Sequence, residues 1–278
     1  MNTRSMLFVA LAVFQMTAGV GQVASAVAQG RSFAENFDQN VFPVSGTLEE
    51  SGPLDPAYTS GTVVFTGAYA GLRTYLRTTS NYNTTNFVAE VTLTVASGFG
   101  GSGIGFIGFG AGEPNCGFFC EPMTAPNIYA RIGPNDFGPF VGITNGEVEH
   151  IGGDPPDGGD GTHRVRITWD HATGEFTFAI HRYYTGGPFV PITIIGPVTV
   201  TDEFGDSDSR IFFGGAGNAT FDDLRVLALA GTPGNADCQD QSVSALARQF
   251  KGIAKAARAL GFSNVTELQT VIEDFCGA

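Results

Sequence analysis

The residues of this chain whose types and spacing suit chemistry are mostly acidic. Glu147 and Glu149 stand two apart in Glu147–Ile151, a segment with strand character. Residues two apart on a strand project from one face. Paired carboxylates are what glycoside hydrolysis needs. A solvated outward face is the simpler account of this pair, because acids are mostly exposed. The four His residues are scattered among candidate strands. No Ser-His-Asp arrangement can be assembled from them.

Aromatic residues offer a second chemistry, stacking against sugar rings. Phe118 and Phe119 lie between Cys116 and Cys120. So short a loop has little room to bury both rings, which leaves one to project. Tyr129 and Arg131 follow on the next candidate strand and share a face by alternation. Tyr75 with Arg73 and Arg77 forms a similar set, and Tyr82, Tyr183 and Tyr184 are further candidates. Packing within a sheet is the competing role for each of them.

These residues need a scaffold, and the pattern supplies one. In His163–His181, Val165, Ile167 and Trp169 alternate with Arg164, Arg166 and Thr168. After Asp170-His171-Ala172-Thr173-Gly174, residues Phe176, Phe178 and Ile180 alternate with Thr177, Ala179 and His181. Period-two alternation on both sides of a Gly-closed turn predicts a half-buried antiparallel hairpin, with Trp169 in the core. Similar runs recur from Ser32 to Ala230, including Asn86–Val95, Ile104–Phe109, Ile128–Ile132, Arg210–Phe213 and Ala219–Leu227. With 39 Gly and 24 Phe, this is an all-β composition. So many strands suit a two-sheet antiparallel jelly-roll sandwich. Two segments are long for hairpin loops, 110–127 and 152–161, and long loops on a rigid scaffold are where binding usually sits.

Both ends of the chain differ from this middle. Arg4 precedes the apolar run Met6–Phe14, and small residues follow as far as Ala28. This is the pattern of a cleaved signal peptide over residues 1–28, predicting a secreted, cell-surface or periplasmic protein. No later stretch is long enough to span a membrane, so none is expected in the mature chain. After a sandwich over 29–230 and a linker over 231–237, the period changes. Leu246, Phe250, Ile253, Ala257 and Leu260 form an amphipathic stripe ending near Gly261. Ser263 or Asn264 can cap a second helix carrying Leu268, Val271, Ile272 and Phe275. Residues 238–278 therefore read as an αα-hairpin.

Four Cys in an exported chain suggest two disulfides, Cys116–Cys120 and Cys238–Cys276 being the favoured pairing. The net charge is −13, and Lys is absent before residue 251. Such an acidic surface argues against nucleic acid as a partner. It leaves cations and neutral sugars.

Three pieces resemble the concanavalin A-like lectin and glucanase superfamily, including laminin G-like modules. They are the opening Phe33-Ala34-Glu35-Asn36-Phe37-Asp38, the hairpin with its inward Trp169, and the closing Ala219-Thr220-Phe221-Asp222-Asp223-Leu224-Arg225-Val226. The tail also resembles a small helical module found at the C-terminus of secreted bacterial proteins. Glucanases of this superfamily carry E-x-D-x-x-E on one strand, and no segment here matches it. The resemblance therefore implies a non-catalytic module that binds a carbohydrate or cell-surface polymer. The alternatives are a glycoside hydrolase or lyase with an atypical site, and a structural or adhesive envelope protein.

A jelly roll sets its first and last strands side by side, which would bring Glu35 and Asp38 to Asp222 and Asp223. Hard carboxylate oxygens suit a structural Ca²⁺ there. Asp in turns is the competing explanation. No cofactor is required by this reading.

Overall fold

A computed structural model describes residues 30–39, 46–51, 56–65, 75–96, 103–111, 127–133, 140–144, 148–153, 160–200, 208–217 and 219–277. They form two antiparallel sheets. With elements numbered in chain order, one sheet runs β13 (Thr193–Thr199), β12 (Glu175–His181), β11 (Gly161–Asp170), β6 (Asn86–Val95), β15 (Ala219–Leu229), β4 (Thr62–Phe65), β3 (Ala57–Thr59). A further strand, β1 (Phe33–Glu35), also pairs with β15. The other sheet runs β10 (Val148–Gly153), β9 (Phe140–Thr144), β8 (Asn127–Ile132), β7 (Ile104–Gly110), β14 (Arg210–Ala216), β5 (Tyr75–Thr78), β2 (Leu48–Ser51). The described residues thus make an eight-stranded sheet facing a seven-stranded one.

The predicted hairpin is β11–β12, with Trp169 opposite Phe176. Asp170 builds the turn, its carboxylate accepting from the Ala172 amide at 2.9 Å and the Thr173 hydroxyl at 2.8 Å. Val165, Ile167 and Trp169 enter the main core with Val91 and Leu93 of β6 and Ile107 and Phe109 of β7. The Trp169 and Phe109 ring centroids are 5.2 Å apart. Trp169 is thus a core anchor, as the alternation predicts.

The tail differs from the expected two helices. It contains α1 (Cys238–Phe250), α2 (Ile253–Ala259) and α3 (Val265–Cys276). The predicted first helix breaks because Lys251 turns left-handed at φ 60° and Gly252 follows at φ 133°, a conformation that glycine tolerates. Asn264 does cap α3, its Oδ1 accepting from the Glu267 amide at 2.9 Å, while Glu267 accepts from the Ser263 amide at 2.8 Å. The Cys238–Cys276 disulfide joins the start of α1 to the end of α3. Cys116 and Cys120 lie outside the described residues.

The tail is docked on the sandwich. Leu246, Leu260, Leu268, Ile272 and Phe275 pack against Val88, Leu227 and Leu229 on the outer face of the eight-stranded sheet. A piece this small gains its stability from such shared burial. The connection is also tied down: Gln249 of α1 clasps the Ser32 backbone, donating to its carbonyl at 2.6 Å and accepting from its amide at 3.3 Å. The tail's apolar stripe is therefore occupied, not offered to an outside partner.

Beside this apolar patch the same sheet face buries charge. Glu90 accepts from Arg166 at 2.6 Å and from Arg164 at 3.3 Å. Arg164 and Arg166, which alternation places on the outward face, are buried with it. Burial pushes the Glu90 carboxyl up, but the guanidiniums of Arg166, Arg164 and Arg225 outweigh it and hold it below the usual range. Arg225 reaches Glu267 of α3 at 3.5 Å and lies 4.6 Å over the Phe262 ring. Among the described residues no helix is long and apolar enough to cross a membrane, which says nothing about strands.

Candidate functional site

The outer face of the seven-stranded sheet carries Tyr75, Tyr129 and Arg131 of the sequence-predicted binding residues, whereas Tyr82 lies in the main core and Tyr183 and Tyr184 follow β12 of the other sheet. On β7, Ile104 and Phe106 point away from the core that Ile107 and Phe109 enter. Tyr75 of β5, Tyr129 of β8 and Phe212 and Ala216 of β14 join them in one cluster. Gly108 makes this possible: a Cβ there would lie 2.5 Å from the Phe212 ring and 2.6 Å from the Ile128 carbonyl oxygen. Phe106 and Phe212 then meet edge to face with centroids 6.0 Å apart.

Tyr129 and Arg131 lie on this β8 strand, as alternation predicts. Both are buried, at 0% and 4% exposure, so neither is a solvent-facing platform. Tyr75 is buried as well. While Arg73 lies outside the described residues, the structure brings Tyr75 and Tyr129, one from each of the two same-face sets, into one cluster with Phe106 and Phe212. Their signal was present as period-two aromatics among glycines, in Phe106-Ile107-Gly108 and Phe212-Phe213-Gly214.

The register aligns one end of this sheet. Arg210 pairs with Gly110, Gly110 with Asn127, Asn127 with Thr144, and Thr144 with Val148. The strand ends flanking residues 111–126 and 145–147 are therefore neighbours. Those two connections carry Phe118, Phe119 and Glu147, which lie outside the described residues. Glu149 is on β10, opposite Ile143. At the same end Glu49 accepts from Arg210 at 2.8 Å and pairs with Arg77, while Arg210 also holds Asp208 at 2.8 Å. Asp208, Glu49 and the two Arg thus neutralise one another beside the loop ends.

The acids proposed for calcium also come together, on the other sheet. Strand β1 pairs with β15, Glu35 opposite Leu224. Yet three of the four carboxylates serve their own turns. Glu35 accepts from the Phe37 amide at 3.2 Å, Asp38 from the Asn36 amide group, and Asp222 from the Asp223 amide at 2.7 Å. Burial, then the neighbouring charges of Asp223 and Asp38, push the Asp222 carboxyl up to about 6, although a backbone amide and Arg164 pull the other way. Among the described residues no three Asp, Glu, His or Cys side chains converge as a metal would need. Juxtaposition alone does not make this set a calcium site.

The sequence matches no family model and no curated protein. Solved structures do match. The exoplasmic/lumenal domain of VIP36, in its Ca²⁺/Man2-bound form, aligns with TM-score 0.50 and 14% identity, over 74% of this chain and 90% of that one. The carbohydrate recognition domain of Emp46p, in its potassium-bound form, aligns with TM-score 0.50 and 8% identity, over 70% and 95%. This chain has the concanavalin A-like lectin fold. Lectin II from Ulex europaeus is also similar, with TM-score 0.47 and 13% identity over 72% and 98%. At these identities the lectin fold is what is shared, and chemistry must be argued from residues.

Proposed function

We propose that this protein is an exported binding module of lectin fold. It recognises a carbohydrate or cell-surface polymer at the end of the seven-stranded sheet that carries residues 111–126 and 145–147. The supporting observation is the register: it sets the strand ends flanking both connections side by side, on the sheet whose outer face holds the cluster with Tyr129 and, two residues further along β8, the buried Arg131. In this reading Phe118 and Phe119 supply the stacking surface. Tyr129 and Arg131 form a rigid floor beneath the ligand-bearing segment, since buried groups position better than they touch. The fold is shared with proteins solved with Man2 or described as carbohydrate recognition domains, which favours sugar over other polymers. The acidic surface disfavours polyanions. Export rests on the N-terminal apolar run and its small-residue flank.

Affinity electrophoresis of the full secreted chain against a panel of neutral polysaccharides tests the reading. Retardation by at least one glycan is expected. Unaltered mobility in every gel at millimolar repeat-unit concentration would remove it. Release of reducing ends that stops on changing both Glu147 and Glu149 to Gln would replace it with the hydrolase alternative.

A further inference from the structure

The other sheet carries a groove that the lectin fold itself does not account for, because half of it is built by the tail. Its volume is about 550 Å³, within the range of small-ligand sites. Glu90 and Arg166 of the eight-stranded sheet form the floor, Gly187–Phe189 between β12 and β13 form one wall, and Phe262 with the exposed side of α3 forms the other.

The charges in this groove are already matched. Arg166 donates to Glu90 at 2.6 Å and to Asp274 at 3.2 Å, and it lies 4.1 Å over the Phe189 ring. Glu267 caps its own helix and takes Arg225. An incoming anion would meet no uncommitted guanidinium here, and the helix start is occupied by Glu267. A cation would have to compete with Arg164 and Arg166 for Glu90. What remains is hydrogen-bonding capacity without net charge. Thr266 carries a hydroxyl, Thr270 donates its own to the Thr266 carbonyl at 3.1 Å and keeps acceptor capacity, Asn264 spends its Oδ1 on the cap and retains its amide donors, and the paired carboxylates keep lone pairs. Two phenyl rings, Phe189 and Phe262, complete the lining.

A ligand with apolar C–H faces and a rim of hydroxyls suits such walls, and a neutral saccharide has that chemistry. We propose that the groove between the sandwich and the tail is a second saccharide site. It shares only its class of ligand with the end site proposed above, and lies on the opposite sheet. The tail then completes a binding surface as well as covering the sandwich. Two sites on one rigid body would engage a polymer with an avidity that neither reaches alone.

The test is calorimetric titration of the full secreted chain with cellobiose, maltose, lactose and diacetylchitobiose. Three variants are compared with the parent: Phe189→Ala, Thr270→Arg, and Phe118→Ala combined with Phe119→Ala. Thr270 is exposed on α3, so Arg there fills the groove without touching the core. The expected result is a disaccharide whose affinity falls about tenfold or more in both groove variants while their melting temperatures match the parent. Loss in the groove variants alone supports this site and leaves the end site to the polysaccharide gels. Loss in the Phe118/Phe119 variant alone overturns this site and leaves the end site standing. Separate losses in both support both sites. Absence of heat with all four sugars overturns this site, and the polysaccharide gels then decide the other independently.

Discussion

Arg166 of β11 and Asp274 of α3 form an ion pair at 3.2 Å across 108 residues of sequence, and Arg166 carries the contact inward to buried Glu90. The tail is thereby coupled to the most buried charge cluster of the sandwich. Asp274 is 55% exposed at its side chain whereas Arg166 is 9% exposed, so the two partners should not respond alike. Arg166→Met leaves a buried carboxylate short of one guanidinium and is expected to cost roughly 3 kcal/mol. Asp274→Asn should cost under about 1 kcal/mol, as exposed pairs do. Urea unfolding of the two variants checks the asymmetry, and equal losses would contradict it.

The same cluster sets an acid limb of stability. The folded-state pKa of Glu90 is depressed, so its contribution is present above the unfolded value of 4.5 and lost as pH falls through the depressed folded value. Asp222 has the opposite sign. Its folded pKa is raised from 3.8 to about 6, so the stability it contributes below the unfolded pKa is lost as pH rises through about 6. Asp222→Asn should therefore stabilise at pH 7 and flatten the melting profile between pH 4 and 6. The gain should be about 1 kcal/mol, because this half-exposed carboxyl is screened by solvent. A parent profile that rises throughout this window, with Asp222→Asn unchanged from it, would count against the assignment.

Reduction of Cys238–Cys276 opens a loop with a sequence separation of 38. Chain entropy makes such a crosslink worth about 4 kcal/mol. Replacing both Cys by Ser should lower the melting temperature and expose Val88, Leu227 and Leu229 as the tail loosens. Increased binding of a hydrophobic dye before the main transition is the expected readout.

Gly108 should tolerate little. Gly108→Val drives methyl groups into the Phe212 ring and the Ile128 carbonyl. Overpacking of this kind costs about 1–3 kcal/mol. The melting temperature should fall by more than in Gly186→Val, where a Cβ meets nothing within 4 Å but the backbone φ of +105° alone adds strain. The comparison separates crowding from backbone strain.

Much of the sandwich was legible because strands such as β11 and β12 alternate and Gly-containing turns separate them. The predicted Asn86–Val95 is β6 to the residue, and the hairpin register follows from its Gly-closed turn. Strands β2 and β3 were missed because Leu-Glu-Glu-Ser and Ala-Tyr-Thr are short and carry one large apolar side chain each. The docking of the tail was hidden for a different reason. Arg164 and Arg166 look solvated in any local window, and only the distant Glu90 and α3 explain their burial. The outward Val88, Leu227 and Leu229 were the available hint that something covers this face. For the binding site, alternation placed Tyr129 beside Arg131, but their burial depends on long-range packing that no local pattern encodes.

The most direct measurement of the binding claim is the affinity of the parent chain and of the Phe118→Ala/Phe119→Ala variant for the polysaccharide that retards the parent most. The variant is expected to keep the parent's melting temperature and to lose about tenfold or more in affinity. A variant that folds normally and binds as tightly as the parent would contradict it.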